Sequence, residues 1–135
     1  MSGYMLDSNV LIDIARDAAG IVAKRFEAKA LGETGISVVV AGEIQFGMRK
    51  RSDARSNPTM AYLLGSLRID ALDQSVAGLY ANIRAESERS GLSVSPNDYW
   101  IAAHAIANDA VLVTGDRALY ESRIAGLKLE DWRVE

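Results

Sequence analysis

Apolar residues fall along this chain in two rhythms, short unbroken runs and longer stretches that repeat every three to four positions. The runs Tyr4-Met5-Leu6, Gly35 to Val40, Arg68 to Leu72 and Val111 to Thr114 have the length and β-branched character of buried strands, and Leu127-Lys128-Leu129 reads as a last, edge strand. Between them the helical rhythm governs 8–17, 21–31, 41–48, a stretch through Met60 and Leu67, and 73–90, which Gly91 closes as a C-cap. Ser95-Pro96 opens one more helix, with a good N-cap residue and proline at the first helical position. Its body, Tyr99 to Ala107, is apolar almost all round and is expected to be buried. Strands alternating with helices predict a three-layer α/β/α sandwich with a mostly parallel central sheet, one domain over residues 1–135.

Composition narrows the chemistry. Hydrophobic residues make up 49% and charged residues 24%, an ordinary globular balance that argues against disorder. Net charge is −3, so contact with nucleic acid would need a local basic patch. Without cysteine, and with His104 as the single histidine, disulfides, thiolate sites and multi-histidine metal centres within one chain are excluded. A bound metal would have oxygen ligands, which selects Mg²⁺, Mn²⁺ or Ca²⁺. No apolar run is long enough to span a membrane and no leader pattern is present, so a cytoplasmic location is expected.

Four acids then stand out by position. Asp7 follows the first strand, Glu43 the second and Asp116 the run Val111–Thr114, while Asp98 lies in the first turn of the helix opened by Ser95. In open α/β sheets, ligands bind outside the carboxyl ends of the strands, so parallel strands would bring three of these acids to one edge. Asp98 joins them if its helix starts at that edge. Each has a plainer reading as a helix cap, a helix-dipole partner or a turn residue, and Ser8 and Asn9 are themselves suited to capping the first helix. Together, four ionised carboxylates would repel one another unless a divalent cation balanced them. Such an ion suits hydrolysis of a phosphodiester by an activated water.

The segments Met5-Leu6-Asp7-Ser8-Asn9-Val10-Leu11-Ile12, Val40 to Gly47, Ser95-Pro96-Asn97-Asp98 with Ile101-Ala102-Ala103-His104-Ala105, and Leu112-Val113-Thr114-Gly115-Asp116 resemble, in order, the motif blocks of the PIN domain. More closely they resemble the VapC-type toxins of bacterial toxin–antitoxin pairs and their FitB-like relatives, over nearly the whole chain. The resemblance implies a Mg²⁺- or Mn²⁺-dependent endoribonuclease whose metal is held by the acids matching Asp7, Glu43, Asp98 and Asp116. Ser8 or Asn9 and Thr114 match supporting polar positions, with Ser8 where the family more often has threonine. Glu121 competes with Asp116 for the fourth acid. The resemblance further implies a homodimer and a VapB-like antitoxin whose C-terminal segment occupies the active-site groove.

Among the remaining candidates, Arg49, Lys50, Arg51 and Arg55, with Arg117 beside Asp116, could hold RNA phosphates. His104 lies six positions after Asp98 and off its helical face, so it reads as packing. A phosphatase using Asp7 as nucleophile would need a second aspartate where Asn9 stands. The alternative function is a non-catalytic RNA- or protein-binding module, or a DNA-associated regulator, on the same fold. As mechanism, hydrolysis by water predicts 5′-phosphate and 3′-hydroxyl ends.

Overall fold

The computed structural model describes residues 3–30, 32–50 and 58–134. Arg51 and Arg55 lie outside the described residues. In chain order the elements are β1 (Tyr4–Leu6), α1 (Ser8–Arg16), α2 (Ile21–Glu27), β2 (Thr34–Ser37), α3 (Val38–Lys50), α4 (Pro58–Ser66), β3 (Arg68–Asp70), α5 (Ser75–Arg89), α6 (Pro96–Ala107), β4 (Val111–Val113), α7 (Arg117–Ser122) and β5 (Lys128–Glu130). The strands form one sheet in the order β3-β2-β1-β4-β5, and every pairing is parallel. The α/β/α expectation therefore holds, and "mostly parallel" becomes wholly parallel among the described strands.

Burial explains the layers. Met5, Leu6, Ile36, Leu112 and Val113 supply the sheet's share of the core. Val10, Leu11 and Ile14 of α1, Val40 and Ile44 of α3, and Ile101 and Ala105 of α6 pack against them. Fully burying side chains of this size contributes roughly 1.5–3 kcal/mol each before chain entropy is counted. Helix α6 sinks Tyr99, Ile101, Ala102, Ala103, His104 and Ala105, as its apolar sequence predicts. By contrast α5 buries only Val76 and Ser87, and leaves Leu79, Tyr80 and Ile83 partly open. Among the described residues no helix is long and apolar enough to cross a membrane.

Several boundaries shift: α2 ends at Glu27 and β3 at Asp70, both short of the expected 31 and 72, α7 has no counterpart in the sequence reading, and the end of β2 matters most for the site. Val38-Val39-Val40 continues the apolar run of β2, yet it forms the first turn of α3. Ser37 ends the strand: its Oγ accepts the N–H of Val39 at 3.1 Å, a local side-chain bond that competes with sheet pairing. Its neighbour β3 also stops at the paired residue Asp70, so no ladder remains for Val38 to join. β-Propensity yields to tertiary context here. In consequence Glu43 is not in the first turn after the strand but is the sixth residue of a longer helix.

Candidate active site

The sheet order reverses direction around β1, which lies between β2 and β4. Such a switch point opens a crevice beyond the strand ends. Asp7 follows Leu6 at that point, and its backbone N–H donates to Val113 O across the β1–β4 boundary at 2.9 Å. Its side chain is only 5% exposed. Asp7, not Ser8 or Asn9, is the N-cap of α1, with Oδ1 accepting the Ser8 N–H at 2.9 Å. The other oxygen, Oδ2, accepts the Thr114 hydroxyl at 2.7 Å and Asn9 Nδ2 at 3.2 Å. One carboxylate thus serves both as the cap of α1 and as the hub of a polar network.

Ser8 and Asn9 are thereby released for other contacts. Ser8 Oγ donates to Glu43 Oε1 at 2.6 Å, and Asn97 Nδ2 donates to Glu43 Oε2 at 3.0 Å, so both oxygens of Glu43 are oriented. Asn9 Nδ2 also donates to Thr114 Oγ1 at 3.1 Å, while its Oδ1 accepts the Gly115 N–H at 2.9 Å. Ser95 caps α6 as predicted, accepting the Asp98 N–H at 3.2 Å. Asp116 caps α7 through a bond from the Ala118 N–H at 3.0 Å.

Electrostatics ties the four acids together. Burial, followed by the fields of Asp7, Asp116 and Glu43, pushes the Asp98 carboxyl up to about 6. Burial also raises Asp7; hydrogen bonds from Thr114 and Ser8 oppose this, and Glu43 and Asp116 add to it. Helix α6 does begin at the edge where β1 ends, as the bonds of Asn97 and Ser8 to the same Glu43 carboxylate show. Among the described residues none of the four acids forms an ion pair. Glu121 is exposed and lines a separate depression with Gly91, Leu92 and Ser93, whereas Asp116 is felt at both Asp7 and Asp98.

An oxygen-only set of mutually repelling carboxylates fits a hard divalent cation. No three described acids converge as a ready-made cage. Mg²⁺ does not need one, because it keeps several waters and commonly takes only one or two carboxylates.

Beside the acids lies a cleft of about 400 Å³ lined by Ser8, Ile12, Glu43, Phe46, Lys50 and Asn97, among others. Phe46 is 64% exposed at its lip, with Lys50 Nζ 5.5 Å from the ring centre. Of the predicted cations, Lys50 faces this cleft, Arg49 bonds back to Gln45 O of its own helix, and Arg117 lies 5.7 Å from the Tyr120 ring. Arg51 is not among the described residues. Sequence reasoning missed Asn97 and Phe46. Asn97 precedes Asp98 and Phe46 follows Glu43 by three positions, so proximity along a helix was the available signal.

The PIN domain family matches residues 4–124. This chain belongs to the PIN family. Within that family it is 35% identical over 135 residues to the tRNA(fMet)-specific endonuclease VapC of Shigella flexneri, covering 98% of this chain and 99% of the relative. It is 33% identical over 131 residues to ribonuclease VapC2 of Rickettsia felis, covering 96% and 97%. Among solved structures, the Rickettsia felis VapBC2 complex bound to a promoter DNA fragment matches with a TM-score of 0.83 and 31% identity, over 98% of this chain and 99% of that one. The DNA-bound VapBC of Salmonella typhimurium matches equally well, with a TM-score of 0.83 and 30% identity over the same shares. The likeness to VapC-type PIN proteins thus runs nearly end to end.

Proposed function

We propose that this PIN protein is a Mg²⁺- or Mn²⁺-dependent endoribonuclease, the toxin component of a VapBC-type toxin–antitoxin module. The observation that carries the reading is the gathering of Asp7, Glu43, Asp98 and Asp116, where burial and then the fields of the other three acids lift Asp98 to about 6, with no described cation paired to any of them. The naming of its relatives as ribonucleases and tRNA-specific endonucleases supports the same reading.

In this reading the four acids hold the ion. A bound cation would supply Lewis acidity, toward a water and toward the charge growing on the phosphate oxygens. The chain's own residues set the geometry. Ser8, Asn9 and Thr114 fix the orientation of Asp7, and Ser8 with Asn97 fixes Glu43. Asp98, partly exposed, holds a proton below about pH 6, so cation binding there would be coupled to loss of that proton in acid. Phe46 offers a face for an unpaired base and Lys50 a charge for a phosphate, the combination that suits single-stranded RNA. Arg49, Arg51 and Arg117 are further phosphate contacts in the proposal.

The whole of residues 1–135 is one PIN domain in this account, acting in the cytoplasm with a VapB-like antitoxin. The partly open apolar side chains Leu79, Tyr80 and Ile83 of α5 suit a homodimer interface. The test is end-mapping of cellular RNA and of purified initiator tRNA incubated with the protein and Mg²⁺, beside Asp7→Asn and an EDTA control. Defined cuts leaving 5′-phosphate and 3′-hydroxyl ends, absent from both controls, are expected. Cyclic 2′,3′-phosphate ends would overturn hydrolysis by water. No cuts and no Mn²⁺ binding would favour a non-catalytic binding module.

A further inference from the structure

Asp116 is carried into the site by two successive peptide planes, Thr114–Gly115 and Gly115–Asp116, and each plane is held at both ends. On the inner side the Gly115 N–H donates to Asn9 Oδ1 at 2.9 Å and the Asp116 N–H donates to Thr114 Oγ1 at 3.0 Å. That same Thr114 hydroxyl donates to Asp7 Oδ2 at 2.7 Å. On the outer side the Thr114 carbonyl accepts the Tyr120 hydroxyl at 2.9 Å, and the Gly115 carbonyl accepts Arg133 Nη2 at 2.7 Å. Rotating either plane would break an inner and an outer bond together.

Both outer donors are themselves constrained. Tyr120 sits on α7, the helix that Asp116 caps, so its hydroxyl reaches back over the first turn. Arg133 is aligned by Asp131, which accepts its Nε at 3.2 Å and its backbone N–H at 2.9 Å. The guanidinium lies so close over Gly115 that a Cβ there would come within 2.3 Å of its central carbon. Glycine at this position makes room for the arginine. These are individually weak bonds at a partly open surface, each contributing little to net stability.

We propose that Tyr120 and Arg133 are positioning residues: they fix the two peptide planes from outside and so set where the Asp116 carboxylate and the Thr114 hydroxyl stand relative to Asp7. Neither touches the reacting atoms. The inference rests on the ribonuclease reading above.

The experiment measures kcat and KM on an RNA that the protein cuts, Mn²⁺ affinity by electron paramagnetic resonance, and Tm, for Tyr120→Phe, Arg133→Ala, Arg133→Lys, Gly115→Ala and Gly115→Ala/Arg133→Ala. Outer-layer partners of metal-site groups are worth about 10–100-fold, so Tyr120→Phe and Arg133→Ala should each lose about tenfold in kcat and several-fold in Mn²⁺ affinity, with KM and Tm nearly unchanged. Arg133→Lys, which lacks the fork, should recover only part. Gly115→Ala should mimic Arg133→Ala, and adding it to Arg133→Ala should cost little more. Wild-type kcat and Mn²⁺ affinity in Tyr120→Phe and Arg133→Ala would overturn the positioning role and leave the ribonuclease reading standing. If the unaltered protein neither cuts RNA nor binds Mn²⁺, the ribonuclease reading falls and the inference falls with it.

Discussion

The same edge of the sheet carries two clusters of polar side chains built on opposite electrostatic terms. Beyond β2 and β3, Ser37, Asp70 and His104 meet at strand ends with their charge already settled. Asp70 pairs with Arg68 at 2.8 Å, and His104, only 1% exposed, shares a 2.8 Å bond between Nδ1 and Ser37 Oγ. Burial holds His104 below its ordinary value, so it is a neutral ring. Beyond β1 and β4, Asp7 and Glu43 are well supplied with hydrogen-bond donors and Asp116 accepts one, yet none of the four acids there, Asp98 included, has a described counter-charge. The first cluster meets the charge of Asp70 within the fold, while Asp70 Oδ2 and His104 Nε2 stay buried without a described hydrogen-bond partner; the second, in the proposed reading, leaves its charge to a bound cation. Each such departure from self-consistency costs stability and marks the place where function is to be sought.

The largest effect that would sharpen this contrast is on turnover. Asp7→Asn keeps the shape of the hub but removes its charge, and initial rates on RNA should fall on the order of 10²–10³-fold. Retained cleavage would break the assignment of the acidic cluster.

The second effect belongs to the other cluster. His104→Ala leaves a cavity and removes one of the two partners of the Ser37 hydroxyl, so urea unfolding should show a loss of about 2–4 kcal/mol. Mn²⁺ affinity of the folded protein should stay put. A parallel loss of affinity would show the two clusters to be coupled.

A smaller and opposite effect is expected at Asp98. Its folded-state value of about 6 lies above the ordinary 3.8, so the folded chain binds more protons than the unfolded one between those values. The stability that the carboxyl contributes is present in acid and is lost as pH rises through about 6. Asp98→Asn should therefore stabilise the metal-free protein at pH 7.5, by on the order of 1 kcal/mol after discounting for solvent screening at a partly exposed group. Thermal melts would show the gain at pH 7.5 and little at pH 4. Added Mn²⁺ should raise the Tm of the unaltered protein more than that of Asp98→Asn; equal shifts would remove Asp98 from the metal site.

The smallest effect is a slope. His104 has a lowered value, so below its ordinary pKa of about 6.5 the unfolded chain takes up a proton that the folded chain refuses. Its contribution is present above that pH and is lost as pH falls. His104→Gln, which keeps a side-chain amide near Ser37, should lose less Tm between pH 7 and 5 than the unaltered protein. An identical slope would place the acid sensitivity elsewhere.

How far the chain could be read in advance follows from the range of the forces involved. Hydrophobic period, the Ser95-Pro96 start and the Gly91 stop are local, so the layers, most elements and the burial of α6 were legible. Asp7 and Asp116 were legible as neighbours because residues at parallel strand ends fall on one edge by construction, whereas Glu43 and Asp98 sit on helices whose placement no strand end fixes. The end of β2 was not legible, since Val38-Val39-Val40 has strand composition, and the stop depends on where its neighbour β3 ends.

The sequence by itself thus determined the fold class through its spacing, and its motif blocks carried the resemblance to the family and singled out the candidate acids. Only the tertiary structure decided how those acids relate. It brought α6 to the edge where β1 ends, gave the cap of α1 to Asp7 and freed Ser8 and Asn9 to orient Glu43 and Thr114. It also set Asn97, Tyr120 and Arg133 around them. Hydrogen bonds and repulsion between charges act over a few ångströms in space, and residues 105 positions apart, as Asn9 and Thr114 are, come within that range only once the chain is folded.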